Sequence, residues 1–204
     1  MVLKNYYYYF TKALSSKFCN EVIQYALSKQ GKIGLTGAFG GKDNLSENDL
    51  KTLYKKRNSN ITWLNDPWIY KEIVPYIKEA NQKAGWNFQL DFAEDLQFTK
   101  YNTNQHYGWH QDCDIRNEGK KIRKISVTCH LTDGSEYTGG ELEFDYRNYD
   151  PDGRDSKNHV VSVKEIMPQG SIAVFPSFIW HRITPVTKGT RYSLVAWNMG
   201  NKYA

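Results

Sequence analysis

Apolar residues are spaced in two different ways along the chain, and the change falls near residue 93. Before it, Phe18, Val22, Ile23, Ala26 and Leu27 recur at helical intervals behind Ser15 and Ser16, which predicts an amphipathic helix with a serine cap. Asp66 and Pro67 announce a second helix as cap and first helical residue, and Ile69, Ile73, Ile77 and Ala80 supply its apolar face. Pro75 falls inside that pattern and is expected to kink or interrupt the helix, because it removes one backbone hydrogen bond. Between the two helices, Gly37–Asn60 is rich in Gly, Asn, Ser and Lys. Its run Ser46-Glu47-Asn48-Asp49 could start a short helix, but the segment as a whole reads as a long surface loop.

After residue 93 the pattern becomes short apolar runs separated by turn residues. Strands are predicted at Leu96–Tyr101, Lys124–Leu131, Glu141–Tyr146, Val160–Val163, Ser171–Phe175 and Tyr192–Asn198. The polar break Arg147–Lys157, with Pro151-Asp152-Gly153 inside it, is expected to be mobile. Helices first and short strands afterwards imply an α+β fold, mainly β, in which helices buttress a sandwich or barrel such as a jelly roll. No repeat and no Pro/Gly/Ser linker divides the chain, so residues 1–204 are expected to form one domain. Residues 1–92 would be its helical support and loop region, and 93–199 its β core.

Composition refines this only slightly. Fifteen Tyr and six Trp suit a β-rich fold, since aromatic side chains pack well on pleated surfaces. The net charge of +5 is mild, and Lys55, Lys56, Lys120, Lys121 and Lys124 lie in polar stretches that read as solvated surface, so nucleic acid is not an expected partner. Cys19, Cys113 and Cys129 are odd in number with no CxxC pair, which argues against a zinc site or a disulfide framework and for reduced thiols. Met1–Phe10 carries Lys4 and Tyr6–Tyr9 but no aliphatic run of the signal-peptide kind, and no stretch approaches the ~20 apolar residues of a membrane span. A soluble, cytoplasmic protein is expected.

Chemistry enters at His110-Gln111-Asp112. On extended backbone, residues i and i+2 face the same side, so this imidazole and carboxylate converge. With a distant second histidine they would form a two-histidine, one-carboxylate set, which leaves three positions of an octahedral Fe(II) open. Alone, His-x-Asp is a weak signal, more often a surface hydrogen-bonded pair. The second histidine has to come from His106, His130, His159 or His181. His181 lies between two strand-like runs, ten positions before Arg191, which opens the strand Tyr192–Trp197. In a jelly roll the returning antiparallel strand can bring Arg191 into the cavity of His181, and a guanidinium fork suits the far carboxylate of a dicarboxylic acid. Asp114 is a rival ligand with poorer geometry than Asp112.

These residues reach a known pattern. Gln97-Phe98-Thr99-Lys100-Tyr101 through Gln105-His106-Tyr107-Gly108-Trp109-His110-Gln111-Asp112 resembles the prolyl 4-hydroxylase branch of the Fe(II)/2-oxoglutarate-dependent dioxygenases, with Tyr101 nine and Tyr107 three positions before the first histidine. Asn104 stands where the family usually has Gly, a change that a left-handed turn residue tolerates. Ser126-Val127-Thr128, Tyr137–Phe144 with Gly139-Gly140, and Gly170–Leu194 with Trp180-His181-Arg182-Ile183 and Thr190-Arg191-Tyr192 continue the likeness in order over residues 93–199.

The resemblance implies a double-stranded β-helix with iron bound by His110, Asp112 and His181. It implies 2-oxoglutarate and O₂ as cosubstrates, and Arg191 with the Tyr101 hydroxyl on the C5 carboxylate. It also admits ascorbate as an accessory cofactor. Tyr107, Ser193 and Trp197 are candidate pocket residues, the last two because 191, 193, 195 and 197 alternate onto one face.

Within the superfamily, Asp112 sets the chain apart from halogenases, which lack that carboxylate. Trp197, six residues after Arg191, sets it apart from nucleic-acid demethylases, which carry a second arginine there. The expected activity is hydroxylation of a prolyl residue in a peptide or protein. A free amino acid or other small-molecule substrate is the main alternative, and a non-catalytic jelly-roll binding module is the rival from another class. A peptide would need an open groove flanked by the 37–60 and 147–158 segments.

Overall fold

A computed structural model describes residues 3, 5–36, 44–113, 121–146 and 159–203. It contains three α-helices, α1 (Ser16–Ser28), α2 (Glu47–Lys56) and α3 (Pro67–Lys83). The strands before residue 92 are β1 (Tyr8–Phe10), β2 (Lys32–Ile33), β3 (Arg57–Asn58) and β4 (Asn60–Leu64). Next come β5 (Phe92–Ala93), β6 (Leu96–Tyr101), β7 (His106–His110), β8 (Lys121–His130), β9 (Thr138–Gly139) and β10 (Leu142–Asp145). The last five are β11 (Val160–Ser162), β12 (Ile172–Pro176), β13 (Trp180–Ile183), β14 (Val186–Lys188) and β15 (Arg191–Asn201).

The strands pair antiparallel into a major sheet, β1-β12-β8-β15-β6-β4-β2 with β5 on β15, and a minor sheet, β11-β10-β13-β7-β3. The strand pair β9 and β14 stands apart from both. This is the mainly β architecture with supporting helices that the spacing predicts, in the jelly-roll form that the resemblance implies. The N-terminal part contributes more than helices, since β1, β2 and β4 extend the major sheet.

One face of the major sheet packs on the helices. Phe18, Cys19, Val22 and Ala26 of α1 and Ile69, Ile73, Ile77 and Ala80 of α3 join Leu96, Phe98, Val127, Cys129, Val174, Leu194 and Ala196 in one buried cluster. Because side chains alternate along a strand, the intervening residues Gln97, Thr99 and Tyr101 of β6, Ser126, Thr128 and His130 of β8, and Arg191, Ser193, Val195 and Trp197 of β15 face the other way. That inner face looks toward the minor sheet, and Leu142, Phe144 and Ile183 of the minor sheet meet Phe175 of β12 and Ile179 in a second cluster. The inner face is therefore polar along its centre and apolar at its margins.

Three local expectations are corrected. The 37–60 segment is not one long loop. Ser46 and Asp49 form a reciprocal capping box, acids Glu47 and Asp49 occupy the first turn of α2 and Lys55 and Lys56 its last, and Leu53 anchors it. Those charges complement the helix dipole, so ten residues with a single buried side chain still hold a helix. Pro75 does not interrupt α3, which runs through it. The buried face of four apolar residues outweighs the ~3 kcal/mol of an interior proline. Asp66 makes no side-chain cap. Its carboxylate instead accepts the Tyr25 hydroxyl at 2.6 Å and lies 3.5 Å from Lys29. The 147–157 break and residues 37–43 lie outside the described residues.

Candidate active site

β7 and β13 are antiparallel neighbours in the minor sheet, with His110 directly opposite His181. Asp112 follows the end of β7, where its amide and that of Cys113 both donate to the Ser177 carbonyl, at 2.9 and 3.0 Å. The chain thus turns about Ser177 and delivers the carboxylate beside both rings. Asp112 Oδ1 is 3.6 Å from His110 Nε2, and Oδ2 is 3.5 Å from His181 Nε2. One donor atom from each residue falls within 4.8 Å of the others, and among the described residues this is the group of three or more acids, cysteines or histidines so arranged. Asp114 lies outside the described residues.

The backbone sets the tautomer of each ring. His110 Nδ1 is 2.8 Å from the Gly108 carbonyl and His181 Nδ1 is 2.9 Å from the Ile179 carbonyl. A carbonyl only accepts, so each Nδ1 carries a proton and donates, and each Nε2 is turned toward Asp112. Ser126 donates to Asp112 Oδ2 at 2.7 Å and is 2.9 Å from the Ser177 hydroxyl. Tyr107 stacks on His110 with centroids 3.6 Å apart, and Phe175 meets His181 edge-on at 4.8 Å.

The charges are settled in the same way. Burial, followed by the neighbouring His181, pushes His110 down to about 3. Burial alone would raise Asp112, but His181, His110, Arg123 and the Ser126 hydrogen bond together hold it down to about 2. Near neutrality His110 is uncharged and Asp112 is anionic. Two Nε2 lone pairs and one carboxylate, each with its remaining polar atoms already engaged, fit a divalent cation of intermediate hardness such as Fe(II).

A pocket of about 440 Å³, its mouth included, opens from these three residues across the inner face. Tyr101, Tyr107, Ser193 and Trp197 all line it, together with Gln97 and Thr128. Arg191 sits beyond Ser193, fully buried, with its guanidinium 5.5 Å from the Tyr101 ring and its Nη1 donating to Ser193 Oγ at 3.0 Å. Its Nε and Nη2 have no partner. A buried guanidinium with two unmet donors costs several kcal/mol unless an anion joins it, so Arg191 fits a carboxylate.

The Gly139-Gly140 pair makes room nearby. Both have positive φ, a Cβ on Gly139 would lie 2.1 Å from the Pro185 carbonyl oxygen, and one on Gly140 would lie 3.0 Å from Arg191 Cδ. Asn104, in the place of the usual Gly, adopts φ 68 in the left-handed region.

Several residues around the pocket were not singled out from sequence. Ser126 lies in a segment that carries the family likeness, but nothing in the sequence points its hydroxyl at Asp112. Arg57 is 5% exposed, lies 4.5 Å from the Tyr107 ring and donates to Ser59 Oγ and the Leu35 carbonyl, leaving Nη2 without a partner. Arg123 stacks on Trp197 at 3.9 Å and pairs with Glu94, while Trp63 leans on Trp197 from the mouth at 44% exposure. The pairing of Trp63 with Gln97 across β4 and β6 was the available signal, visible only once β4 is known to be a strand.

The fold and this donor set are those expected of the iron and 2-oxo-acid oxygenases. Residues 96–199, just over half of the chain, match the family model of the 2OG-Fe(II) oxygenase superfamily, and the chain belongs to that superfamily. It is 32% identical over 105 residues to a PKHD-type hydroxylase of Synechococcus sp. strain CC9605, covering 52% of this chain and 41% of that protein. It is 31% identical over 134 residues to one from Thermosynechococcus vestitus, covering 63% and 53%. The chain thus spans about half the length of the curated relatives it matches.

The fold is similar to that of a viral collagen prolyl hydroxylase of Paramecium bursaria Chlorella virus-1 in complex with 2-oxoglutarate. The TM-score is 0.66 at 19% identity, over 97% of both chains. It is also similar to a Pseudomonas putida prolyl-4-hydroxylase, with a TM-score of 0.64 at 18% identity over 98% and 95% of the chains. A Trichoplax adhaerens prolyl hydroxylase in complex with a hypoxia-inducible-factor peptide fragment gives 0.64 at 18% over 96% and 84%. No helix among the described residues is long and apolar enough to cross a membrane.

Proposed function

We propose that the chain is a hydroxylase of prolyl residues in a peptide or protein, with Fe(II) held by His110, Asp112 and His181. In the overall reaction substrate, 2-oxoglutarate and O₂ give hydroxylated substrate, succinate and CO₂. The observation that carries this reading is a His-Asp-His donor set in a pocket whose Ser193 wall is backed by a buried, under-partnered arginine. Iron, when bound, would supply the redox chemistry that activates dioxygen beside the 2-oxo acid. The protein supplies placement and exclusion of water.

His110 and His181 enter the reaction already in the ligating tautomer. Asp112 brings the one negative charge, and Ser126 prevents its carboxylate from rotating away. Arg191 and the Tyr101 hydroxyl orient the cosubstrate through its C5 carboxylate. Tyr107 and Phe175 cover the two imidazoles with rings, which keeps bulk water off the metal side. Trp197, clamped between Arg123 and Trp63, walls the side on which the substrate enters.

A peptide is favoured over a free amino acid by the charges at hand. Asp112 is the one acid among the described residues lining the pocket, and the free donors nearby are Arg57 Nη2 and Trp197 Nε1. Carbonyl groups match those donors, whereas a free ammonium group would find no carboxylate. The relatives' hydroxylase names and the prolyl hydroxylase neighbours point the same way. The three free, buried cysteines suit a reducing compartment such as the cytoplasm. A screen of proline-containing peptides and free amino acids for 2-oxoglutarate turnover, read by mass, tests the reading. A 16 Da gain on proline within peptides is expected, and a gain confined to free amino acids would overturn the peptide assignment.

A further inference from the structure

The segment that carries the metal carboxylate is seated on a turn, and that turn is held from behind by a buried lysine. Ser177 and Phe178 follow β12, and three groups of the ligand segment donate to their carbonyls. The amides of Asp112 and Cys113 donate to Ser177, at 2.9 and 3.0 Å, and the Gln111 side chain donates to Phe178. The Ser177 amide in turn donates to the Lys124 carbonyl at 3.0 Å. Lys124, expected on a solvated surface, is 5% exposed. Ile125 pairs with Asn198 and Arg123 with Met199, so Lys124 is the extra residue where β8 slips register against β15. A bulge of this kind re-aims a side chain.

The Lys124 ammonium reaches the end of β15. Its Nζ donates to the Asn201 carbonyl at 2.9 Å and lies 3.3 Å from the centre of the Tyr203 ring. Tyr203 meets Phe178 edge-on at 5.5 Å and Phe88 edge-on at 5.4 Å. Phe88 is a fixed point, since the Asn81 side chain of α3 holds both its amide and its carbonyl at 2.9 Å. We propose that Lys124 and Tyr203 are positioning residues for the metal site: the segment after β15 latches the 177–178 turn and so fixes where Asp112 stands. The inference rests on the metal assignment above.

The chemistry argues for a latch rather than for packing alone. Burying an ammonium is costly, and an apolar side chain of the same length would fill the same space without that cost. What the charge adds is a hydrogen bond to one particular carbonyl and attraction to one particular ring face. Both belong to the same short segment, Asn201 and Tyr203, so the charge specifies where that segment lies. Its effect reaches Asp112 by a short path. The Tyr203 ring bears on Phe178, and the adjoining Ser177 carbonyl carries the Asp112 amide. Ser126 acts on the carboxylate itself, at 2.7 Å, so the side chain and the backbone of Asp112 are restrained by separate means.

Amide hydrogen exchange in the metal-free protein, and anaerobic Fe(II) affinity by competition with a chelator, test the latch together. Tyr203→Ala should speed exchange at Asp112 and Cys113 while the amides of β6 keep their rates, and should weaken Fe(II) about tenfold. Tyr203→Phe keeps the ring face and should restore both. Lys124→Met, which keeps a long apolar stem without the charge, should reproduce the Tyr203→Ala result. Exchange that rises equally over β6 would reduce both residues to general stability and overturn the proposal. So would unchanged exchange at Asp112 and Cys113, or unaltered Fe(II) affinity, in Tyr203→Ala. Failure of the iron assignment shows in the wild-type protein, as absent Fe(II) binding, whereas failure of the latch shows only in the variants.

Discussion

The metal-ligand end of the pocket and the buried end behind its Ser193 wall are built on opposite principles. At the His110–Asp112–His181 end, the protein has satisfied the polar atoms that face away from the centre. Both Nδ1 atoms are on carbonyls and Asp112 is on Ser126, so three lone-pair donors are left in place at no further cost of ordering. At the Arg191 end the protein has done the reverse, burying donors and withholding their acceptors. The first end can hold its shape unaided. The second is completed only by an anion, so its stability and its ligand are linked. The difference places affinity for the dicarboxylate at the deep end and the orientation of the metal at the other.

Breaking the metal end should have the largest consequence. Asp112→Ala removes the one anion between the two imidazoles and is expected to abolish Fe(II)-dependent succinate formation with the circular dichroism of the fold retained; unchanged turnover would sink the iron assignment. Arg191→Ala strikes the other end and should raise the 2-oxoglutarate requirement about a hundredfold or more, the cost of losing a buried charged partner. An unaltered apparent affinity would show that Arg191 is not the anchor. Ser126→Ala should weaken Fe(II) binding by roughly 10- to 100-fold through the loosened Asp112 while leaving pyruvate and 2-oxoglutarate equally affected. A selective effect on 2-oxoglutarate would mean that Ser126 belongs to the deep end instead.

The smallest effect is on stability with pH. His110 has its folded pKa depressed to about 3, while in the unfolded chain it lies near 6.5. Above 6.5 neither state binds the proton, and below it the unfolded chain takes up one that the folded chain refuses. Metal-free protein should therefore lose stability as pH falls from 6.5 toward 3, by about 2 kcal/mol at pH 5 from this residue. Denaturant midpoints at pH 7.5 and pH 5 with a chelator present measure it, and His110→Asn should flatten that part of the curve.

The sequence makes the metal end readable because its geometry is local. A His-x-Asp needs only a short local span, here the end of β7 and the turn about Ser177, and the ten-residue spacing from His181 to Arg191 needs only a returning antiparallel strand. The strands Leu96–Tyr101 and Ile172–Pro176 are likewise visible in their apolar runs. What stayed hidden depends on pairing between distant segments. β4 was not expected, because Asn60–Leu64, at and just past the end of the segment read as a loop, becomes a strand only by pairing with β6; Trp63 comes with it, and Arg57 with β3 on β7. The capping box that starts α2 was present in Ser46 and Asp49, but one buried leucine gave it no apolar stripe to announce itself. Lys124 was visible only as one surface lysine among several, and its burial follows from the register slip of β8 against β15.

The central claim is that one pocket holds iron at one end and the cosubstrate's far carboxylate at the other. Anaerobic titration of 2-oxoglutarate into the Fe(II)-loaded protein measures both at once, because a 2-oxo acid chelated to Fe(II) produces a visible metal-to-ligand charge-transfer band. The band is expected in the wild-type protein, to be absent from Asp112→Ala, and to need far more 2-oxoglutarate in Arg191→Ala. A wild-type protein without the band, or an Asp112→Ala variant that develops it at the same 2-oxoglutarate concentration, would contradict the account.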